Sequence, residues 1–405
     1  VSQCARIAVV GTFDVENFGD LLFPLLTFHE LRERLDRPDI RLYSYRERRD
    51  AWPYEVRSLS RLRSDVAELD LLVVGAGHLV RFDKAVAPGY EPPAGLHHPT
   101  GYWLMPTLLA EAYGVPVAWN SLTVSPDTPS WAAELVALAV RSARYVSVRD
   151  RPSLTELDRV VPEADVKLVP DIAFGVEQLL PETPSTAFDG FLEETSLGRP
   201  FIVVQPSPHL VRHKHQIDSA VRVAREQGCH VLELPISPVL GDRAGLLELR
   251  QPIVSPASWP HPLLLAEIIA RSEAVIARSL HLSVVAQSCG VPVHRHRSAP
   301  DPKYEPLLDL PGVYLWDDDT DVTDTLRRGL GRATRGAAPD RRAVELGSHW
   351  DAIAAAPGRG TGGAGVAVEL ISTSTARLEA LAAERAEPVA SPGRLVGVAR
   401  RLRLR

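Results

Sequence analysis

In the stretch IARSLHLSVVAQSCGVPV, residues 276–293, an apolar run gives way to Arg278, Ser279 and His281, and an apolar helical segment follows. Ser279 is a good residue type for a helix cap. The positive end of that helix, with Arg278 and a histidine beside it, also suits an anion. The helix end disfavours a proton on His281 and a bound anion favours it again, an environment for a general acid or base.

Other polar loops of the same kind each follow an apolar run. GTFDVENFGD carries Asn17, Gly19 and Asp20; Gly19 permits a close backbone approach, and Asp20 is placed to cap a helix beginning at Leu21. The loop lacks the G-x-G-x-x-G spacing of a dinucleotide site. VVGAGHLV supplies Gly75 and Gly77, which let either a ligand or a neighbouring helix come near. VSVRDRPSL supplies Arg149, able to hold a carboxylate or phosphate bidentately, and Asp150, its ion-pair partner or a cap for the next helix. In LVPDIAF, Asp171 is a turn former or a cleft-facing base. HLVRHKH gathers His209, Arg212, His213 and Lys214. With no matching carboxylate or cysteine evident, it reads as an anion-binding cluster and no metal is expected.

The elements that must position these loops alternate along the chain. ARIAVVGTF, IRLYSY, LDLLVVGAG, PVAWNSLTV, RYVSVRD and ADVKLVPDIAF read as strands, separated by helical stretches such as DLLFPLLTFHELRERL and RPSLTELDRV. Near-continuous apolar strands alternating with helices point to a parallel sheet covered on both faces. The proline-rich, acidic stretch at residues 177–200 interrupts the pattern. It then restarts with FIVVQPS, HVLELPIS, EAVIARS and VPVHRH as strands and HKHQIDSAVRVAREQG, GDRAGLLELR, HPLLLAEIIARS and HLSVVAQSCG as helices, and YLWDD with DVTDTLRRGLGRA ends the second unit. The expected organisation is a Rossmann-like domain over residues 1–180, a second over 198–335, a closing helix over 336–355, and a linker and basic tail over 356–405. Two doubly wound domains facing each other place ligands beyond the carboxyl ends of the strands, in the crevice.

Length, charge and cysteine content narrow the class. The chain has 405 residues, 45% hydrophobic and 24% charged, a composition of globular proteins large enough for two cores. A net charge of −6 argues against nucleic acid as a partner of the whole molecule. Cys4, Cys229 and Cys289 are few and far apart, which suits a reducing compartment without a disulfide framework. With no apolar run long enough to span a bilayer and no signal-peptide layout, a cytoplasmic protein is expected. The arginine-rich end, GRLVGVARRLRLR, offers a peripheral contact with an anionic membrane surface.

Taken in order, GTFDVENFGD, LLVVGAGHLV, VSVRDRPSLTEL, VPDIAF and ARSLHLSVVAQSCGVPV resemble the polysaccharide pyruvyl transferase family over about residues 6–296. The resemblance implies two facing Rossmann-type domains similar to the glycosyltransferase B architecture. It also implies transfer of a pyruvyl group from phosphoenolpyruvate to a sugar hydroxyl, often as a cyclic ketal, in cell-surface polysaccharide or its precursors. The acceptor would be lipid-linked or nucleotide-linked, and no cofactor is implied. On this reading His281 is the acid and Asp20 or Asp171 the base for the hydroxyl. Asn17, Gly19, Gly75, Gly77, Arg149, Asp150, His209, Arg278 and Ser279 would bind substrate. Many members carry an arginine two residues before the histidine, where Ser279 stands here. A nucleotide-sugar-dependent glycosyltransferase of the same architecture is the rival enzyme, with Glu305 the one candidate carboxylate for a ribose. A non-catalytic sugar-binding protein is the alternative of a different class.

Overall fold

The computed structural model describes residues 4–82, 100–249, 254–297, 304, 307, 310–332 and 341–358. Two parallel sheets organise them. The first contains β1 (Arg6–Val10), β2 (Asp39–Ser44), β3 (Val56–Ser58), β4 (Leu71–Val74), β5 (Gly77–Val80), β6 (Val117–Val124), β7 (Tyr145–Val148) and β8 (Val166–Leu168). Its order is β3-β2-β1-β4-β6-β7-β8, with β5 beside β6. The second contains β9 (Phe201–Val204), β10 (His230–Glu233), β11 (Val275–Ala277), β12 (Val293–His296) and β13 (Val313–Trp316), in the order β10-β9-β11-β12-β13. The apolar strand runs have the reason expected of them: Leu71–Val74 and Phe201–Val204 are wholly buried, because helices cover both faces of each sheet.

Strand order fixes where a ligand can sit. From β1 the first sheet grows one way through β2 and β3, then resumes on the other side with β4. The second does the same from β9, through β10 on one side and β11 on the other. Each reversal leaves a crevice beyond the strand ends, between the loops after β1 and β4 and between the loops after β9 and β11. These four loops carry Asn17–Asp20, Gly75, Gln205 and Arg278–His281.

The crevices meet. Phe18 N–H donates to Ile236 O at 2.9 Å, and Ser237 Oγ donates to Asn17 Oδ1 at 3.1 Å. One apolar cluster runs through both units, from Phe18, Leu22 and Phe23 to Ile236, Leu282 and Val285. The helix Arg341–Ala354 returns to the first unit, where His349 joins Tyr145 Oη and Asn120 Oδ1, each at 2.8 Å, and Asp351 accepts from Arg34 Nε at 2.7 Å.

Several local expectations change. The helix after β1 spans Phe18–Arg34, so Asp20 lies inside its first turn and does not cap it. GDRAGLLELR forms turns over its described residues, with glycines of positive φ at Gly241 and Gly245. The stretch 177–200 contains the helix Thr186–Thr195, capped by Ser185, whose Oγ accepts from Phe188 N–H. VVGAGHLV holds a further short strand, β5, where the sequence suggested only a loop. Among the described residues no helix is long and apolar enough to cross a membrane. The basic tail and Glu305 lie outside the described residues.

Candidate active site

The base of the cleft is built from strand ends, and each polar side chain there is held by its neighbours. Arg149, the residue after β7, is buried at 6% exposure. Its Nε donates to Thr123 Oγ1 at 2.6 Å, and its Nη1 donates to Asp171 Oδ2 at 2.7 Å. The same Nη1 lies 3.3 Å from His281 Nε2. A guanidinium has only donors, so this imidazole nitrogen meets it with a lone pair. Asp171 Oδ2 stands 3.8 Å from the same nitrogen, ready to accept from it when the ring is protonated. The ring is therefore poised between a fixed cation and a fixed carboxylate.

His281 is clamped from its other side by the first unit. Phe23 packs edge-on against the imidazole, with ring centroids 5.1 Å apart. Gly19 lies so close that a Cβ there would overlap the imidazole. Here is the physical reason for a glycine in the first turn of that helix: the backbone of one unit forms the wall of the other unit's histidine.

Asp20 shares this space. Its carboxyl accepts from Asn17 Nδ2 at 2.8 Å. An edge of the residue reaches the surface, yet its carboxyl is enclosed, and desolvation raises its pKa from 3.8 to about 7. The Thr12 hydroxyl, the charge of Arg149 and the Asn17 amide oppose that rise. Asn17 is at the cap position of its helix but makes no capping bond; its side chain instead joins Asp20 to Ser237 of the second unit. Gly77, with φ of +114°, brings its backbone near Asp20: a Cβ there would sit 3.6 Å from Oδ1. Gly75 packs against Val10 O and the Phe13 ring, a close contact inside the protein.

The start of the helix Leu280–Ser288 is fixed by a chain of hydrogen bonds that sequence reasoning missed. Gln205, just after β9, accepts through Oε1 from the backbone N–H groups of Arg278 (2.9 Å) and Ser279 (2.8 Å). Its amide donates to Asp242 Oδ2 at 2.7 Å. Burial raises the Asp242 pKa from 3.8 to about 6, against hydrogen bonds from Gln205 and the Ile236 and Ser237 N–H groups. Ser279 is the cap, its Oγ accepting from Leu282 N–H at 3.4 Å. The only signal for Gln205 in the sequence is its place at the end of an apolar strand, FIVVQPS.

The structure thus brings together His281, Arg149, Asp171, Asp20, Asn17, Gly19 and Gly77. It gives others local duties. Asp150 caps the helix Arg151–Val160, accepting from Ser153 N–H at 2.9 Å and from Thr123 Oγ1 at 3.1 Å. Ser279 caps its own helix, Gly75 serves packing, and His209 is exposed in the loop after β9. The charge of Arg278 acts on His296. His213 does have a carboxylate neighbour, Asp318, at 3.6 Å, far along the chain and therefore invisible to local spacing.

Comparison with known proteins fits this architecture. The fold is similar to the UDP-GlcNAc 2-epimerase from Methanocaldococcus jannaschii, with a TM-score of 0.54, 10% identity, and coverage of 92% of this chain and 100% of that one. It is similar also to the UDP-GlcNAc 2-epimerase from Neisseria meningitidis bound to UDP-GlcNAc, with a TM-score of 0.51, 12% identity, and coverage of 92% and 100%. These likenesses establish the two-domain, glycosyltransferase B-type fold. No curated protein matches the sequence. The family description "Polysaccharide pyruvyl transferase" matches residues 17–295, more than half of the chain and a span that contains Asn17, Gly19, Asp20, Gly77, Arg149, Asp171 and His281. The chain belongs to the polysaccharide pyruvyl transferase family.

Proposed function

We propose that the protein transfers the pyruvyl group of phosphoenolpyruvate to a sugar hydroxyl of a cell-surface polysaccharide or its precursor. The observation that carries this reading is the meeting of Arg149 and Asp171 from one unit with His281 from the other, 3.3 and 3.8 Å from its Nε2, beside a carboxyl with a pKa near 7. Family membership supports it. The donor is a small, densely charged anion, and a cation buried next to a helix N-terminus suits such a ligand.

Arg149 and the start of the Leu280–Ser288 helix hold the phosphate and carboxylate. Bound anion favours the protonated form of His281. His281 gives that proton to the methylene carbon, forming the methyl group and leaving an oxocarbenium-like centre at the neighbouring carbon. A sugar hydroxyl attacks this centre and its proton passes to Asp20, which a pKa near 7 suits to the task. The carbon–phosphate oxygen bond then breaks and phosphate leaves with the electron pair. A second hydroxyl closes the ketal, its proton leaving with the phosphate. Asp171, already accepting from Arg149 and from Ala173 N–H at 2.9 Å, orients Arg149 and receives the imidazolium.

Calorimetry with phosphoenolpyruvate tests this. Saturable binding, weakened by Arg149→Ala, with turnover abolished by His281→Ala, is the expected result. Binding of a uridine diphosphate sugar with no response to phosphoenolpyruvate would move the protein to a nucleotide-sugar-dependent transferase. That second reading draws on the fold shared with an epimerase bound to UDP-GlcNAc.

A further inference from the structure

We propose that His213, His296 and Asp318 form a binding site for a divalent transition metal of the zinc type, separate from the His281 centre and independent of the pyruvyl-transfer reading. One potential ligand atom of each residue lies within 4.8 Å of the other two. His213 Nδ1 stands 3.6 Å from Asp318 Oδ1, and the two imidazoles lie face against face, with centroids 3.9 Å apart and planes at 32°. Ligand atoms around a tetrahedral ion with bonds of about 2 Å lie roughly 3.3 Å apart, so a modest rotation of Asp318 brings its carboxylate to ligand distance from His213. Asp318 is free to make it, its side chain being 89% exposed.

The two rings, by contrast, are set in place. His213 precedes the helix Lys214–Glu226 and follows the turn after β9; His296 ends β12. The indole of Trp316, at the end of β13, stands edge-on to both, with centroids 5.5 and 4.6 Å away. Three strand ends of one sheet edge therefore converge here, and that edge is the one from which His281 emerges after β11. Nε2 of His296 is buried without a hydrogen-bond partner among the described residues. An unsatisfied imidazole nitrogen in such a setting costs stability unless something else meets it.

The donor set names the ion. Two imidazoles and one carboxylate suit zinc, cobalt or nickel, whereas magnesium and calcium prefer oxygen ligands throughout. Asp317 and Asp318 both act on His296 electrostatically and offset the positive charge of Arg278. Three protein ligands leave a coordination position open for water or an anionic oxygen.

The test is calorimetric titration of the full chain, first stripped by chelation, with zinc chloride, and in parallel the visible spectrum with cobalt. One equivalent should bind, with cobalt giving d–d bands of reduced coordination number. His213→Ala and Asp318→Asn should each weaken zinc binding by about tenfold or more. Asp318 is exposed, so its asparagine variant keeps the fold and carries the test even where loss of a histidine disturbs packing under Trp316. Absence of saturable zinc binding overturns the proposal. So does binding that Asp318→Asn and His213→Ala leave unchanged, since the ion would then be held elsewhere.

Discussion

The guanidinium of Arg149, carried by the first sheet, lies 3.3 Å from Nε2 of His281, carried by the second. The two side chains come from different units, so this pair exists only when the two crevices face each other. Arg149 also holds Asp171, so its loss has two separable consequences. Arg149→Ala leaves the Asp171 carboxylate, 4% exposed, without its charge partner, and should destabilise the fold by ~3–5 kcal/mol in urea unfolding. Pairing Arg149→Met with Asp171→Asn removes the stranded charge and should recover much of that stability without recovering phosphoenolpyruvate binding. Recovery of both would mean that Arg149 serves the fold alone.

Gly19→Ala tests the wall behind His281. The new Cβ overlaps the imidazole, so the ring must move by an ångström or more. Displacement on that scale costs a catalytic group roughly 100-fold in turnover, and overpacking costs about 1–3 kcal/mol in stability. The double variant Gly19→Ala with His281→Ala should be more stable than Gly19→Ala alone, because the two residues occupy the same space. Additive losses in stability would place the strain of Gly19→Ala somewhere other than the histidine.

Much of this arrangement is legible in the sequence, and the reasons for the exceptions are physical. Apolar β-branched runs followed by polar loops give the parallel strands and locate Asn17, Arg149 and His281 at strand ends, because strand burial and loop exposure are local properties. The short strand β5 is hidden, since among the described residues Gly77–Val80 pairs only with β6 and its two ends differ in register. The part played by Gln205 depends on a partner more than 70 residues away, and neither its type nor its spacing announces that. Asp20 reads as a cap in sequence, yet its helix begins three residues before Leu21, at Phe18, whose N–H bonds to Ile236 O across the units, a contact that local sequence does not show. Asp318 is invisible as a neighbour of His213 for the same reason as Gln205: tertiary structure, not spacing, makes the pair.

Gln205→Ala probes the positioning of the catalytic helix. It removes the acceptor for two backbone N–H groups and the amide that donates to buried Asp242. Each buried group left unsatisfied costs about 1–3 kcal/mol, so a clear loss of stability is expected in urea unfolding. Because that amide bond is one of the contacts holding the Asp242 pKa down, its removal pushes the Asp242 pKa above its present value of about 6. Turnover should fall along with stability, while Gln205→Glu, which sets a second carboxylate against Asp242, should fold well only in acid. A Glu variant equally stable at pH 5 and pH 8 would show that the two groups do not meet.

The enclosed carboxyl of Asp20 gives the pH dependence a definite sign. A base with a pKa near 7 is active when ionised, so kcat/KM should rise with pH through about 7, and Asp20→Asn should remove that limb together with most of the activity. Stability runs the other way. The folded pKa lies above the unfolded value of 3.8, so between about 4 and 7 the folded protein holds a proton that the unfolded chain has released. Stability therefore declines across that window as pH rises. Asp20→Asn, with no proton to lose, should be at its least advantageous near pH 4 and gain on the wild type up to pH 8. Measured as the difference in unfolding free energy between the two proteins, a trend of opposite sign would mean that Thr12, Asn17 and Arg149 outweigh desolvation. The carboxylate would then be ionised throughout, and the task of accepting the hydroxyl proton would have to fall to another group.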